Sequence, residues 1–186
     1  MKKRGAQKTN WANVLTWTRL VLIVPITATA YFQFKWVVLT LFLVAMATDY
    51  FDGFVARRTG VASDAGARFD SQVDNAMLPF FLVWLWLLFP TFFVAFGIPI
   101  ALVVAFIAMQ LFVAKWKLGS YTGLHLWSDK ASAVGGFVLL PALIIFGLVP
   151  WLAWTVCVVS IIASVEGTLY LLKGGKNLDA RWVFDK

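Results

Sequence analysis

Four aspartates within 26 residues are the side chains of this chain whose type and spacing could do chemistry. Asp49 and Asp52 lie three positions apart, and Asp70 and Asp74 lie four positions apart, so each pair would share one face of a helix. Together they are nearly half of the nine acidic residues. Because carboxylates beside a membrane segment are costly to desolvate, this clustering indicates a functional demand.

The chemistry that these carboxylates predict is the binding of a divalent cation. If the two helices are antiparallel neighbours, all four groups converge on one point and repel one another. One or two divalent cations with oxygen ligands are the simplest relief of that repulsion. The sequence therefore predicts a metal site formed by Asp49, Asp52, Asp70 and Asp74.

The elements that must position this site are membrane helices. Hydrophobic residues make up 61% of the chain and charged residues 13%, and the mean hydropathy is +0.83. A spanning helix needs about 20 mostly apolar residues, and the sequence contains six such segments. They are Leu15–Phe34, Trp36–Phe54, Phe69–Phe89, Phe92–Ala114, Ala131–Phe146 and Val149–Leu172. We expect an all-α integral membrane protein in which residues 1–186 form a single domain, with a six-helix bundle over residues 15–172.

The distribution of basic residues predicts the orientation of this bundle. With six spans, fifteen lysines and arginines fall on the side of the two termini, and Lys35 alone falls on the other. The positive-inside rule then places both termini, the 173–186 tail and the four aspartates at the cytoplasmic face of the inner membrane. Residues 1–14 could form a short amphipathic helix on that surface. The net charge of +7 is read as this topology signal and as attraction to lipid head groups, not as nucleic-acid binding.

The aspartates belong to a longer pattern, D-x2-D-G-x2-A-R-x8-G-x3-D-x3-D. Its eight specified positions are Asp49, Asp52, Gly53, Ala56, Arg57, Gly66, Asp70 and Asp74. This pattern resembles the motif of the CDP-alcohol phosphotransferases, integral membrane enzymes of phospholipid synthesis. Six spans, with the motif bridging the second and the third, also fit that family.

The resemblance implies a reaction and its cofactor. A CDP-linked lipid donor, usually CDP-diacylglycerol, would give its phosphatidyl group to the hydroxyl of a small polar alcohol, and CMP would leave. Mg²⁺ or Mn²⁺, as a pair of ions, would be held chiefly by the first three aspartates. The last aspartate, Asp74, would add a ligand and act as the general base that accepts the proton of the alcohol. The resemblance also implies a homodimer.

Further residues are expected at the donor. Gly53 and Gly66 remove side chains where a nucleotide must approach the backbone, and Ala56 keeps the same face small. Arg57 can donate two parallel hydrogen bonds to a phosphate. A pattern similar to one found near the nucleotide in family members stands here at Asn13, Thr16 and Arg19.

The acceptor is less defined by the sequence. Weak predictions for its contacts are Arg68, Lys115, Lys117, His125 and Lys130. Members that resemble phosphatidylglycerophosphate synthases usually carry Asp-Pro-x-x-Asp-Lys, whereas this chain reads Asp70-Ser-Gln-Val-Asp74-Asn75. The alcohol therefore stays open between glycerol phosphate, serine, inositol phosphate and others.

Two other classes of protein remain as alternatives. A divalent-cation transporter or channel also uses intramembrane carboxylates, but its site usually lies near the bilayer midplane rather than at one face. A non-catalytic scaffold would not need the intact motif. Glu166, inside the last predicted span, is open between a buried functional group and a helix-packing contact.

Overall fold

The computed structural model describes the backbone of residues 11–59, 64–119, 121, 124, 126–175, 180, 182 and 183. It describes the side chains of these residues except 11–16, 49–59, 64–72 and 74. The described part of the chain folds into six α-helices joined by short connections. They are α1 (Trp11–Tyr31), α2 (Lys35–Thr59), α3 (Asp64–Leu88), α4 (Pro90–Leu118), α5 (Trp127–Phe146) and α6 (Pro150–Leu172).

Each apolar segment predicted from the sequence corresponds to one of these helices, but several boundaries were wrong. Helix α2 continues to Thr59 instead of ending at Phe54, and α3 begins at Asp64 instead of Phe69. Apolarity reports how much of a helix fits the hydrocarbon layer, whereas the helix itself requires only backbone hydrogen bonds. Polar residues therefore extend both helices, and Arg57 and Arg68 lie within helices rather than in a loop.

The first helix also starts earlier than predicted. Helix α1 begins at Trp11, so residues 11–14 are part of it rather than of a separate surface segment. The remainder of the proposed amphipathic helix, residues 1–10, lies outside the described residues.

Three of the helices, α4, α5 and α6, are long and apolar enough to cross a membrane. Within the described residues, the apolar stretches of the other three helices are shorter: Trp17–Tyr31, Lys35–Thr48 and Asn75–Leu88. The fold is thus all-helical with long apolar spans, as predicted, and the count of six spans stays a prediction.

Helix α1 contacts the two helices that carry the aspartate motif. It packs against both α2 and α3. The fully buried indole of Trp84 on α3 donates a hydrogen bond from Nε1 to Oγ1 of Thr27 on α1, at 2.8 Å. The ring of Phe42 on α2 lies 6.1 Å from that of Phe81 and 6.3 Å from that of Trp84 on α3, centroid to centroid. These contacts place α1, α2 and α3 in one apolar core.

A second core lies where α4 and α6 pack together. Tyr170 and Leu171 of α6 are buried there with Val113 and Ala114 of α4 and with Ala180 of the C-terminal segment. Oε1 of Glu166 accepts a hydrogen bond from the backbone N–H of Val183, and the two heavy atoms are 3.2 Å apart. The Glu166 carboxylate therefore connects α6 to the chain that follows it, which is a structural role for the residue that the sequence left open.

The two ends of the bundle are distinct. At one end, Gln33 Nε2 donates to the carbonyl oxygen of Leu87 at 2.6 Å, which joins the α1–α2 turn to the end of α3. At the other end, Asn75 Nδ2 lies 3.4 Å from the carbonyl oxygen of Tyr121, which joins the motif half of α3 to the α4–α5 connection. We call this second end, formed by the last turns of α2, α4 and α6 and the first turns of α3 and α5, the motif end.

Candidate active site

The backbone places each pair of aspartates within one continuous helix. Asp49 and Asp52 lie in α2, and Asp70 and Asp74 lie in α3. The positions of each pair are therefore within about one helical turn of each other, as the predicted metal site requires. The side chains of all four aspartates lie outside the described side chains, so the ligand set stays a prediction.

The other motif residues flank the connection between α2 and α3. Gly53, Ala56 and Arg57 lie in the last turns of α2, and Gly66 lies in the first turns of α3, as does the predicted acceptor residue Arg68. The predicted donor residues Asn13 and Thr16 belong to the start of α1. The side chains of Asn13, Thr16, Ala56, Arg57 and Arg68 lie outside the described side chains, and His125 lies outside the described residues.

Arg19 is the predicted donor residue whose side chain the structure describes. It lies in α1 and is 2% exposed. A guanidinium is always charged, and its burial is stable only beside opposite charge or hydrogen-bond acceptors. Helix α1 packs against both α2 and α3. Arg19 is therefore buried in the helix that contacts both aspartate-bearing helices.

A cleft of about 390 Å³ opens next to the motif, between α3, α4, α5 and α6. Most of its described lining is apolar and aromatic. Its polar lining residues lie near the middle of α6 or in the half of α3, α4 and α5 that is nearer the motif end. They are Asn75, Gln110, Asp129, Lys130, Ser132, Ser160 and Ser164. Asn75 directly follows Asp74 in α3, so the polar part of the cleft adjoins the aspartate motif.

Asp129 and Gln110 form a hydrogen-bonded polar pair in this lining. The Gln110 side chain is 7% exposed. Asp129 accepts hydrogen bonds from the Gln110 amide and from the backbone of Leu126, and Glu166 lies close enough to interact with it electrostatically. Oδ2 of Asp129 is buried and has no hydrogen-bond partner among the described residues. The Asp129 carboxylate thus lies beside the cleft with this oxygen enclosed by the packed helices.

This pair was missed in the sequence, although a signal was present. Gln110 is the one polar residue in the apolar segment Phe92–Ala114, and an amide in a membrane helix usually faces other polar groups of the bundle. Asp129 stands two positions before the predicted fifth span. No pattern in the sequence indicated that these two residues, which lie on different helices, would pair with each other.

Three serines complete the described polar part of the cleft. The hydroxyl oxygens of Ser132 on α5 and Ser160 on α6 lie 2.7 Å apart and share a hydrogen bond. Ser164, one turn further along α6, is 2% exposed. The hydrogen bond between Ser132 and Ser160 links α5 to α6 near the Asp129 carboxylate.

The lysines predicted at the acceptor separate into two groups. Lys115 donates from Nζ to the carbonyl oxygen of Gly119 at 3.2 Å, and Lys117 Nζ lies 4.6 Å from the centroid of the Trp116 ring. Both lysines are exposed and neither belongs to the described lining of the cleft. Lys130 does line the cleft, and its Nζ lies 5.6 Å from the centroid of the Trp127 ring.

Comparison with known proteins supports the reading of the motif. The family model described as CDP-alcohol phosphatidyltransferase matches residues 9–162, which include the aspartate motif and most of the helical bundle. The chain belongs to this family. The resemblance predicted from the motif is therefore confirmed, and with it the class of enzyme, a transferase.

Curated relatives match over a shorter part of the chain. A CDP-diacylglycerol–glycerol-3-phosphate 3-phosphatidyltransferase of Cereibacter sphaeroides is 41% identical over 81 residues, which are 40% of this chain and 36% of that protein. Proteins of the same name from Sodalis glossinidius and Yersinia enterocolitica are each 39% identical over 77 residues, 38% of this chain and 42% of theirs. The chain thus spans about two fifths of the length of these relatives. No solved structure matches it.

The family is generally metal-dependent, and the donor set of the motif fits a hard divalent ion. Four carboxylates offer oxygen ligands only, which Mg²⁺ and Mn²⁺ prefer over thiolate or imidazole. Among the described residues, no group of three or more histidine, cysteine, aspartate or glutamate side chains could hold a metal elsewhere. The motif therefore stays the predicted metal site.

Proposed function

We propose that this chain is a CMP-forming phosphatidyltransferase that moves a phosphatidyl group from CDP-diacylglycerol, or a similar CDP-linked lipid, to a small polar alcohol. The observation that carries this proposal is the complete eight-position motif, which runs from the last turns of α2 into the first half of α3. Its family match over residues 9–162 supports the same chemistry. The names of the relatives make glycerol-3-phosphate one acceptor to test.

In this reaction a bond forms between the acceptor oxygen and the donor phosphorus, and the bond from that phosphorus to CMP breaks. The proton of the acceptor hydroxyl passes to Asp74, which acts as general base. Asp49, Asp52 and Asp70, with Asp74, would hold two Mg²⁺ or Mn²⁺ ions. When bound, these ions neutralise the pyrophosphate and stabilise the charge on the leaving group.

The remaining motif residues bind and orient the donor. Arg57 and Arg19 supply positive charge to the phosphates, and a guanidinium can hold a phosphate with two parallel hydrogen bonds. Gly53 and Gly66 leave room for the nucleotide beside the helix backbone. The acyl chains of the donor can then stay in the bilayer while its nucleotide lies at the interface.

We further propose that the site faces the cytoplasm in the inner membrane and that the protein is a homodimer. The charge asymmetry between the two predicted sides supports the orientation. The broad apolar surface of α4, on which Val94 and Ile98 are 90% and 79% exposed, offers room for both lipid and a second copy.

The proposal is tested by measuring CMP release from purified protein in lipid nanodiscs with CDP-diacylglycerol, Mg²⁺ or Mn²⁺, and a panel of alcohols. We expect CMP release that depends on an alcohol and on the metal. Asp52→Asn should abolish it, because the neutral amide is a poorer ligand for a hard cation. Thr40→Val, an exposed change on the same helix, should leave it intact.

The transporter alternative makes a different prediction. Protein in liposomes would then move Mn²⁺ across the bilayer without CDP-diacylglycerol, and no CMP would form with any acceptor. That result would contradict the proposed function.

A further inference from the structure

We propose that a lysine–aromatic belt at the motif end binds anionic phospholipid head groups and gathers the anionic donor lipid beside the cleft. The binding of anionic lipid is independent of the proposed function, whereas the gathering of CDP-diacylglycerol rests on it. The belt consists of Lys115, Trp116, Lys117, Tyr121, Trp127 and Lys130.

The lysines of the belt lie where two apolar helices end. Lys115 and Lys117 lie in the last turn of α4, and Lys130 lies in the first turn of α5. Lys115 directly follows the apolar segment of α4, and Lys130 directly precedes that of α5. All three lysines are exposed. Basic residues next to an apolar span lie at the level of the lipid head groups, where they attract anionic lipids.

Each lysine of the belt lies over an exposed aromatic ring. The distances from Nζ to the ring centroid are 5.1 Å for Lys115 with Tyr121, 4.6 Å for Lys117 with Trp116 and 5.6 Å for Lys130 with Trp127. The three rings are 70%, 55% and 54% exposed for Trp116, Tyr121 and Trp127. Tryptophan and tyrosine favour the membrane interface, and a ring face attracts a cation. The rings therefore keep the ammonium groups at the depth of the lipid phosphates.

The charge of these lysines is complementary to a lipid phosphate. An ammonium group has three donors, and Lys115 uses one of them for the carbonyl oxygen of Gly119, at 3.2 Å. Asp129, the neighbour of Lys130 in the chain, bonds Gln110 and has its Oδ2 enclosed among the helices. Its carboxylate is thus directed away from the exposed side of the belt. Each lysine near a membrane surface strengthens the attraction of an anionic lipid by about fivefold.

Lys130 connects the belt to the candidate active site. It lines the cleft together with Asn75, the residue that follows Asp74. CDP-diacylglycerol carries a pyrophosphate and is itself an anionic lipid. Positive charge beside a site raises the local concentration of an anionic substrate. The belt should therefore lower the KM of the donor without taking part in the bond-making step at the motif.

The same lysines were predicted from the sequence as contacts of the acceptor, and the two assignments differ in a measurable constant. Lys115 and Lys117 lie outside the described lining of the cleft, on a surface that lipid of the surrounding bilayer can reach. Loss of a lipid-gathering charge raises the KM of the donor, whereas loss of an acceptor contact raises the KM of the alcohol.

The first test measures lipid binding without an enzyme assay. The delipidated full chain in neutral detergent is titrated with phosphatidylglycerol and with phosphatidylcholine of the same acyl chains, and bound lipids are counted by native mass spectrometry. We expect wild-type protein to bind phosphatidylglycerol about tenfold or more tightly, with a smaller preference at high salt. Inorganic phosphate at constant ionic strength should not displace the lipid. Equal affinity for the two lipids, or displacement by phosphate, would overturn the inference.

Variants then test whether the belt causes this preference. The triple variant Lys115→Gln, Lys117→Gln, Lys130→Gln should lose about tenfold or more of it. Lys35→Gln is the matched control, because Lys35 Nζ also lies over an aromatic ring, that of Phe89 at 4.9 Å, at the opposite end of the bundle. Lys35→Gln should keep the preference. An unchanged preference in the triple variant, or an equal loss in Lys35→Gln, would overturn the inference.

The second test measures CMP release in nanodiscs of neutral lipid. The KM of CDP-diacylglycerol should rise by about fivefold or more in the triple variant, with the KM of the alcohol within about twofold of the wild-type value, and Lys35→Gln should match wild type. A rise in the KM of the alcohol alone would assign the lysines to the acceptor and overturn the gathering of the donor. Absence of CMP release from wild-type protein with every alcohol would instead overturn the proposed function, while the lipid preference of the first test would remain.

Discussion

Gly167 on α6 lies directly against the side-chain amide of Gln110 on α4. A Cβ atom added at Gly167 would stand 3.0 Å from Cδ of Gln110 and 3.3 Å from Cδ1 of Leu124, and it would collide with Nε2 of Gln110. Both residues are buried. The absence of a side chain at Gly167 therefore allows the amide to reach Asp129 across the packed helices.

We predict that Gly167→Ala displaces the Gln110 amide and weakens its bond to Asp129. The atom in conflict is the far end of a flexible side chain, which can turn aside, so the cost is mainly that of the lost hydrogen bond, about 1 kcal/mol. The apparent melting temperature in detergent should therefore fall relative to that of a matched glycine-to-alanine change in open space.

Gly97→Ala is the control for this change. Gly97 lies in α4, and a Cβ atom there would have no heavy atom within 4 Å. Alanine favours a helix over glycine by about 1 kcal/mol, so Gly97→Ala should preserve stability and kinetics. A melting temperature of Gly167→Ala equal to that of Gly97→Ala would contradict the role of Gly167 in positioning Gln110.

The hydrogen bond between Trp84 and Thr27 should contribute to the stability of the bundle. Thr27→Val removes the acceptor and leaves the buried indole N–H unsatisfied, at a cost of about 1 kcal/mol on the scale of hydrogen bonds between membrane helices. Thermal unfolding in detergent measures it. Thr40→Val is the matched control, since its hydroxyl bonds the Trp36 carbonyl oxygen of its own helix at 3.0 Å. Equal stability of both variants would show that the α1–α3 bond contributes nothing.

We expect the Asp74→Asn and Asp52→Asn variants to lose CMP release for different reasons. Asp74→Asn should lose catalysis by about a hundredfold or more, as is typical when a general base is removed, with little change in donor affinity or in the metal concentration that gives half-maximal rate. Asp52→Asn should abolish CMP release and also weaken Mn²⁺ binding measured directly by titration, because a charged ligand is lost. A large loss of Mn²⁺ affinity in Asp74→Asn would show that this residue is chiefly a ligand.

Removal of the metal should stop the reaction reversibly. Excess EDTA should abolish CMP release, and added Mg²⁺ or Mn²⁺ should restore it, since the donor pyrophosphate needs a counter-charge. Circular dichroism before and after chelation should show an unchanged helix content. Full activity in excess chelator would rule out the metal site of the motif.

The orientation of the chain can be tested at its termini. With six spans, reporters fused to the N-terminus and to the C-terminus should both be active only in the cytoplasm. A cysteine placed at Lys35 in a Cys157→Ser background should react with a membrane-impermeant thiol reagent from the opposite side. A C-terminal reporter that appears outside would exclude the six-span arrangement.

The sequence by itself determined the family, the helical fold and the position of the motif, because these are recorded in local patterns. The eight motif positions lie within 26 residues, and helical periodicity alone puts Asp49 near Asp52 and Asp70 near Asp74. Apolar segments likewise mark membrane helices without knowledge of their neighbours. The same locality explains the errors at Thr59 and Asp64, where polar residues continue a helix beyond its apolar part.

Only the tertiary structure decided which residues from different helices meet. Thr27 and Trp84 are 57 positions apart, and Gln110, Asp129 and Gly167 come from three helices. Their contacts depend on how helices pack and rotate against one another, which no local pattern in one chain records. For the same reason the sequence treated Lys115 and Lys130 alike, whereas the packing of α4 and α5 brings Lys130 to the cleft and leaves Lys115 outside its described lining.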